Sequence, residues 1–214
     1  MSPANSAKKM KKTAFVLLLI ALGAGGFYWY SFNKPASAES GETKQQALAL
    51  KKHSEAFNKA VAAAMDAYFA MKDAFVEADT VKAKENCRKF IQLVDSIPMA
   101  ELKTDTLNIY DAAMADHSNI KSNAASLLQQ TDITEMRKDF SMVSENLYPF
   151  FRTINYEGET MYWQNCPMAF GEDKGANWIN RTREVINPYL GKHHPEYKAS
   201  MLNCGEVKDS IMVK

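Results

Sequence analysis

The sequence predicts an all-α protein: an up-down four-helix bundle with a small irregular C-terminal cap containing a short hairpin, preceded by an N-terminal transmembrane anchor. Three observations carry that expectation. Glycine is sparse, at 9 residues, while Ala, Lys, Met, Leu and Glu dominate the middle of the chain, a composition that favours helices. Between residues 44 and 158 apolar side chains recur at steps of three and four in four successive segments. From residue 159 to 214 that rhythm gives way to Gly, Pro, Asn and aromatic residues.

At the N-terminus, residues 1–12 are a basic segment holding Lys8, Lys9, Lys11 and Lys12. The uncharged run that follows, within 13–31, matches the roughly 20 residues a helix needs to cross a bilayer. Lysines before it keep the N-terminus cytoplasmic, and Phe27 to Tyr30 form an interfacial aromatic belt, so the rest of the chain is expected in the periplasm or outside the cell. Ala36-Ser37-Ala38 also fits a signal-peptidase site, which would release a soluble form starting near Glu39. The length of the apolar run and its bulky aromatic end favour the uncleaved anchor. Residues 32–43 are a polar linker.

The first helical stripe reads Phe57, Val61, Ala64, Tyr68, Met71, Phe75 and Ala78. Asp79 or Thr80 caps the second helix, whose inner face is Ala83, Cys87, Phe90, Val94 and Ile97, ended by Pro98. Cys87 lies on that stripe as a small apolar core residue. The third helix is expected from Leu102 to Gln130, regular from about Asp105, with Leu107 or Tyr110, Ala113, His117, Ile120, Ala124 and Leu127 facing inward. His117 reads either as a core histidine satisfied by one hydrogen bond or as a nitrogen ligand, should the cap fold over it. Asp132 and Glu135 form a capping box for the fourth helix, and Pro149 is expected to kink or break it near Glu145 to Tyr148. Met65, Met71, Met114, Met136 and Met142 are scaffold, mostly at core spacing.

The tail concentrates the chemistry. Cys166-Pro167-Met168 and Met201-Leu202-Asn203-Cys204 hold two of the 3 cysteines beside two methionines. Thiolate with thioether is the donor set that soft Cu(I) prefers and Zn(II) rarely takes. Cys166, Met168, Met201 and Cys204 are therefore expected to converge on one thiophilic ion, with His117 as an optional fifth donor. A Cys166–Cys204 disulfide is the competing expectation, and an oxidising compartment permits it. His193 and His194 read as a solvated loop or as additional nitrogen donors. A formal charge of +1 gives no global field for nucleic acid. No GxSxG, GxxxxGK[ST] or HExxH run is present, so an enzyme is not expected.

In order, Tyr162-x-x-x-Cys166-Pro167-Met168-Ala169, Gly175-Ala176-x-Trp178, Ile186-Asn187-Pro188-Tyr189-x-Gly191 and Met201-Leu202-x-Cys204-Gly205-Glu206-Val207 resemble a bacterial envelope domain of unknown function. That domain occurs alone after a signal or anchor, and fused to the C-terminal end of periplasmic adaptors of heavy-metal (copper/silver) efflux pumps. Tyr68 to Phe75 and Met136 to Phe140 extend the resemblance, which covers roughly Phe57 to Val207. It implies heavy-metal handling in the envelope at the four sulfur residues, with an efflux pump or its adaptor as partner; single-pass attachment to the inner membrane, with the domain in the periplasm, is what the N-terminal segment implies. His117 stands where family members carry a histidine. Two departures are visible: Leu190 in place of the usual Phe, and extra residues between Gly191 and Met201, His193 and His194 among them.

Overall fold

A computed structural model describes residues 53–104 and 109–211. The basic segment, the anchor, the linker with Ala38, and Leu107 lie outside the described residues. Among the described residues no helix is long and apolar enough to cross a membrane. The described residues form four α-helices followed by three strands: α1 Glu55–Val76, α2 Thr80–Asp95, α3 Ile109–Gln129, α4 Ile133–Thr153, β1 Met161–Cys166, β2 Ala176–Asn180 and β3 Glu206–Ile211.

α1, α2 and α4 start where a side chain can satisfy their free amides. Ser54 Oγ accepts from Phe57 N at 3.1 Å, Asp79 from Lys82 N at 2.9 Å, and Asp132 from Thr134 N at 2.8 Å and Glu135 N at 3.1 Å. The reciprocal half of the expected capping box is absent, because the Glu135 carboxylate pairs with Lys138 at 2.6 Å instead. The predicted stripes are the buried faces: Phe57, Tyr68, Met71 and Phe75 on α1, Cys87 and Phe90 on α2, Ala113, His117, Ile120 and Leu127 on α3, and Phe140, Val143 and Leu147 on α4. Met65, Met71 and Met136 fill this core, whereas Met142 is exposed.

Two local expectations need correction. Met99–Thr104 is a 3-10 helix rather than the first turn of α3. Pro98 starts it, its carbonyl accepting from Glu101 N at 3.0 Å. Across Pro149, α4 stays continuous to Thr153. Proline removes one backbone donor at a cost of about 3 kcal/mol. Burying Leu147, Phe150 and Phe151 around it offsets that, at about 1.5–3 kcal/mol per large apolar side chain.

The cap is more regular than expected. It is a three-stranded antiparallel sheet in the order β2-β1-β3, not a lone hairpin. β1 pairs with β2 in the register Trp163↔Ile179 and Cys166↔Ala176. β3 lies along the other edge of β1, with an irregularity between Trp163 and Gln164. Trp178 and Ile179 are fully buried where β2 packs on α4. The Tyr68 hydroxyl fixes the joint: it accepts from Ile179 N at 3.0 Å and lies 2.7 Å from Ser144 Oγ. Trp163 stacks on Tyr148, ring centroids 4.7 Å apart.

Candidate functional site

Cys166 ends β1 fully buried, and Cys204 sits half-buried in the turn before β3. Their sulfurs are 2.9 Å apart across 38 residues of chain, and both are free thiols. Burial first, and then the adjoining Cys166, push the Cys204 thiol to about 12, so at neutral pH it keeps its proton.

The approach is built by backbone rather than by the sulfurs. Gly205 has φ 138, and a Cβ there would lie 2.6 Å from Asn165 O, so only glycine lets this strand meet β1 so closely. Asn187 supplies the second constraint. It is fully buried; its Oδ1 accepts from Tyr189 N at 2.8 Å and Leu190 N at 3.0 Å, while its Nδ2 donates to Cys204 O at 2.8 Å. Its own N–H donates to Leu202 O at 2.8 Å. One side chain thus makes the Asn187-Pro188 turn and ties the Met201–Gly205 segment to it. The sequence marks Asn187 as a turn residue only; its hold on Cys204 spans 17 positions and has no periodic signature.

Met168 and Met201 are half-buried against the core, one in the turn that follows Cys166 and the other in the turn that precedes Cys204. The Met168 carbonyl accepts from Gly171 N at 3.2 Å, and that of Met201 from Cys204 N at 3.0 Å. His117 is buried on α3 with Nε2 3.0 Å from Val94 O, the single hydrogen bond of a core histidine. Among the described residues no three His, Cys, Asp or Glu side chains gather as a ligand cluster, so His117 does not join the two cysteines. His193 is exposed 3.7 Å from Glu77, and His194 is turned into its own loop, stacked on Tyr197. Cys87 is remote from this chemistry: its thiol donates to Ala124 O at 3.2 Å and burial pushes it to about 12.

Residues 64–158 match the family model described as protein of unknown function (DUF3347). The match covers most of the helical part, includes His117, and stops before β1 and the sulfur pairs. No curated protein and no solved structure matches the chain.

Proposed function

We propose that this chain is a membrane-anchored periplasmic protein that captures a thiophilic metal ion, Cu(I) foremost, and passes it on by ligand exchange without catalysing a reaction. The observation that supports this is the meeting of Cys166 and Cys204 at 2.9 Å. A metal–thiolate bond of about 2.3 Å sets two sulfurs on one tetrahedral ion roughly 3.8 Å apart, whereas a disulfide closes at about 2.05 Å. The observed spacing lies midway, so the donor set has to discriminate. Thioethers from Met168 and Met201 in the adjoining turns suit a soft, exchangeable ion, and a disulfide has no use for them. The resemblance of the tail motifs points the same way, toward hand-off to a heavy-metal efflux pump or its adaptor.

Titrating reduced protein with Cu(I) against a competing chelator, and separately with Zn(II), tests the reading. One Cu(I) per chain is expected, lost in Cys166→Ser and unchanged in His117→Ala. Equal weak binding of both metals, indifferent to Cys166→Ser, removes it. A second reading rests on the same spacing: a Cys166–Cys204 disulfide stapling a metal-free module that docks on an efflux complex. Closing a loop of 38 residues stabilises by about 4 kcal/mol in the chain-entropy model. Mass spectrometry of native material, showing that link with Cys87 free and surviving mild reductant, favours this second reading.

A further inference from the structure

Arg137 on α4 is buried more deeply than its protein contacts explain. It is 5% exposed, and no carboxylate of the described residues forms an ion pair with it. A guanidinium carries five N–H donors. One of them, on Nη2, donates to Phe75 O at 2.8 Å and caps the C-terminal end of α1. Nε is buried with no partner at all. Desolvation lowers the group to about 10, which still leaves it cationic at neutral pH. Asp132 offsets this charge only from beyond ion-pair distance, and a buried charge without a close partner costs several kcal/mol. Capping α1 needs a single N–H and gives no account of the others.

The guanidinium borders an open cleft of about 290 Å³. Its apolar walls are Met168, Phe170, Tyr189 and Leu190, and His194 stands on the same rim. His194 Nδ1 accepts from the backbone N–H groups of Glu196 and Tyr197, both at 3.2 Å. That assignment leaves the ring proton on Nε2, a second donor. Burial and the neighbouring Arg137 hold this histidine below its usual range, so it donates as a neutral ring. The exposed Glu196 lies on the rim as well, and it disfavours any ligand with more than one negative charge.

We propose that this cleft is a binding site for a small monocarboxylate with an apolar body, its carboxylate on Arg137 and His194 and its body against Met168, Phe170 and Tyr189. A planar guanidinium matches a carboxylate in charge and shape, and one cation with a neutral donor suits one negative charge rather than two. Cys166 and Cys204 do not line the cleft, so Cys166→Ser is expected to leave binding unchanged; Met168 is common to the cleft wall and the proposed sulfur donors, so the titration is run on metal-free protein.

Calorimetric titration of the full-length protein with phenylacetate, beside its uncharged analogue phenylacetamide, tests the proposal. The acid is expected to bind saturably and about tenfold or more tightly than the amide. Arg137→Gln should remove the preference. Because that change also strips the cap from Phe75, Thr134→Trp provides an independent arm: Thr134 lies exposed on the rim, and the indole should fill the cleft and abolish binding with the melting temperature intact. Glu196→Gln should tighten binding about two- to fivefold by removing a like charge. No saturation below about 10 mM overturns the proposal, as does equal affinity for acid and amide. Binding that survives both Arg137→Gln and Thr134→Trp overturns it too. A Glu196→Gln variant that melts earlier with no gain in affinity would identify Glu196 as the internal counter-ion, and the site would fall.

Discussion

The helix starts find their partners within a few residues: Ser54, Asp79 and Asp132 each cap the helix that begins beside them. In the sheet and its loops the partners are remote. Ile179 N–H reaches Tyr68 on α1, Asn177 Nδ2 reaches Glu145 on α4 at 2.7 Å, and Asn187 holds Cys204. The apolar faces follow the same division. Phe90 and Leu127 are buried between helices, whereas Trp178, Tyr189 and Phe140 form one aromatic cluster shared by both parts, with Trp178 and Tyr189 centroids 5.8 Å apart. The helical part thus carries its own instructions, and the cap is ordered by what it docks on. A region of this kind can rearrange around a ligand without unfolding its support.

Two of the 3 tryptophans, Trp163 and Trp178, lie in the sheet, so fluorescence reports mainly on the cap while far-UV dichroism reports the helices. The largest effect is expected from Phe90→Ala, which empties a fully buried site on α2 and should cost about 3–5 kcal/mol in urea denaturation. Both signals should then shift together, since the cap cannot outlast its support. If fluorescence held its midpoint while dichroism moved, the dependence drawn here would be reversed. Asn187→Ala should come next, at about 2–4 kcal/mol, because it leaves two buried backbone N–H groups and the half-buried Cys204 carbonyl without their partner. Here the signals should separate: fluorescence shifts, dichroism barely does, and Cys204 becomes faster to alkylate. An unchanged alkylation rate would release Asn187 from the role assigned to it.

Tyr68→Phe sharpens the comparison at the joint. It keeps the ring but deprives Ile179 N–H of its acceptor, for an expected loss of about 1–2 kcal/mol seen first in fluorescence. Smallest is a change confined to the helices. Burial raises the Asp116 carboxyl to about 6, and its Oδ2 has no partner. The folded protein therefore binds this proton more tightly than the unfolded chain does. The associated stability is fully present below about pH 4 and is lost as pH rises through about 6. Asp116→Asn should match the parent at pH 4 and exceed it by about 1 kcal/mol at pH 7, a figure reduced for partial exposure to water. Equal stability of the two at pH 7 would show the carboxyl to be fully solvated.

The limits of reading the chain directly follow the same line. The stripes Phe57 to Phe75 and Met136 to Ile154 were legible because helical periodicity is a local property with a fixed step. The break allowed for at Pro149 does not occur, since the packing of Phe150 and Phe151 enters no local rule. Cys166 and Cys204 stood out by residue type, and the β1–β2 pair as the short hairpin expected of the cap. The strand Glu206–Ile211 did not, its faces being mostly half-exposed and carrying Lys208 and Asp209. Neither Asn187 as the clasp on Cys204 nor Arg137 as an unpaired buried cation announces itself in sequence. Both are defined by what surrounds them.

By itself the sequence determined where the second and fourth helices start, which faces the helices bury and which residues bring sulfur chemistry, because caps, periods and donor types are written within a few positions of one another. Tertiary structure alone decided that Cys166 and Cys204 touch, that His117 stays in the helical core, and that Arg137 borders a cleft. Those outcomes depend on contacts between segments tens of residues apart, and a contact of that range is settled by packing geometry, which no local pattern encodes.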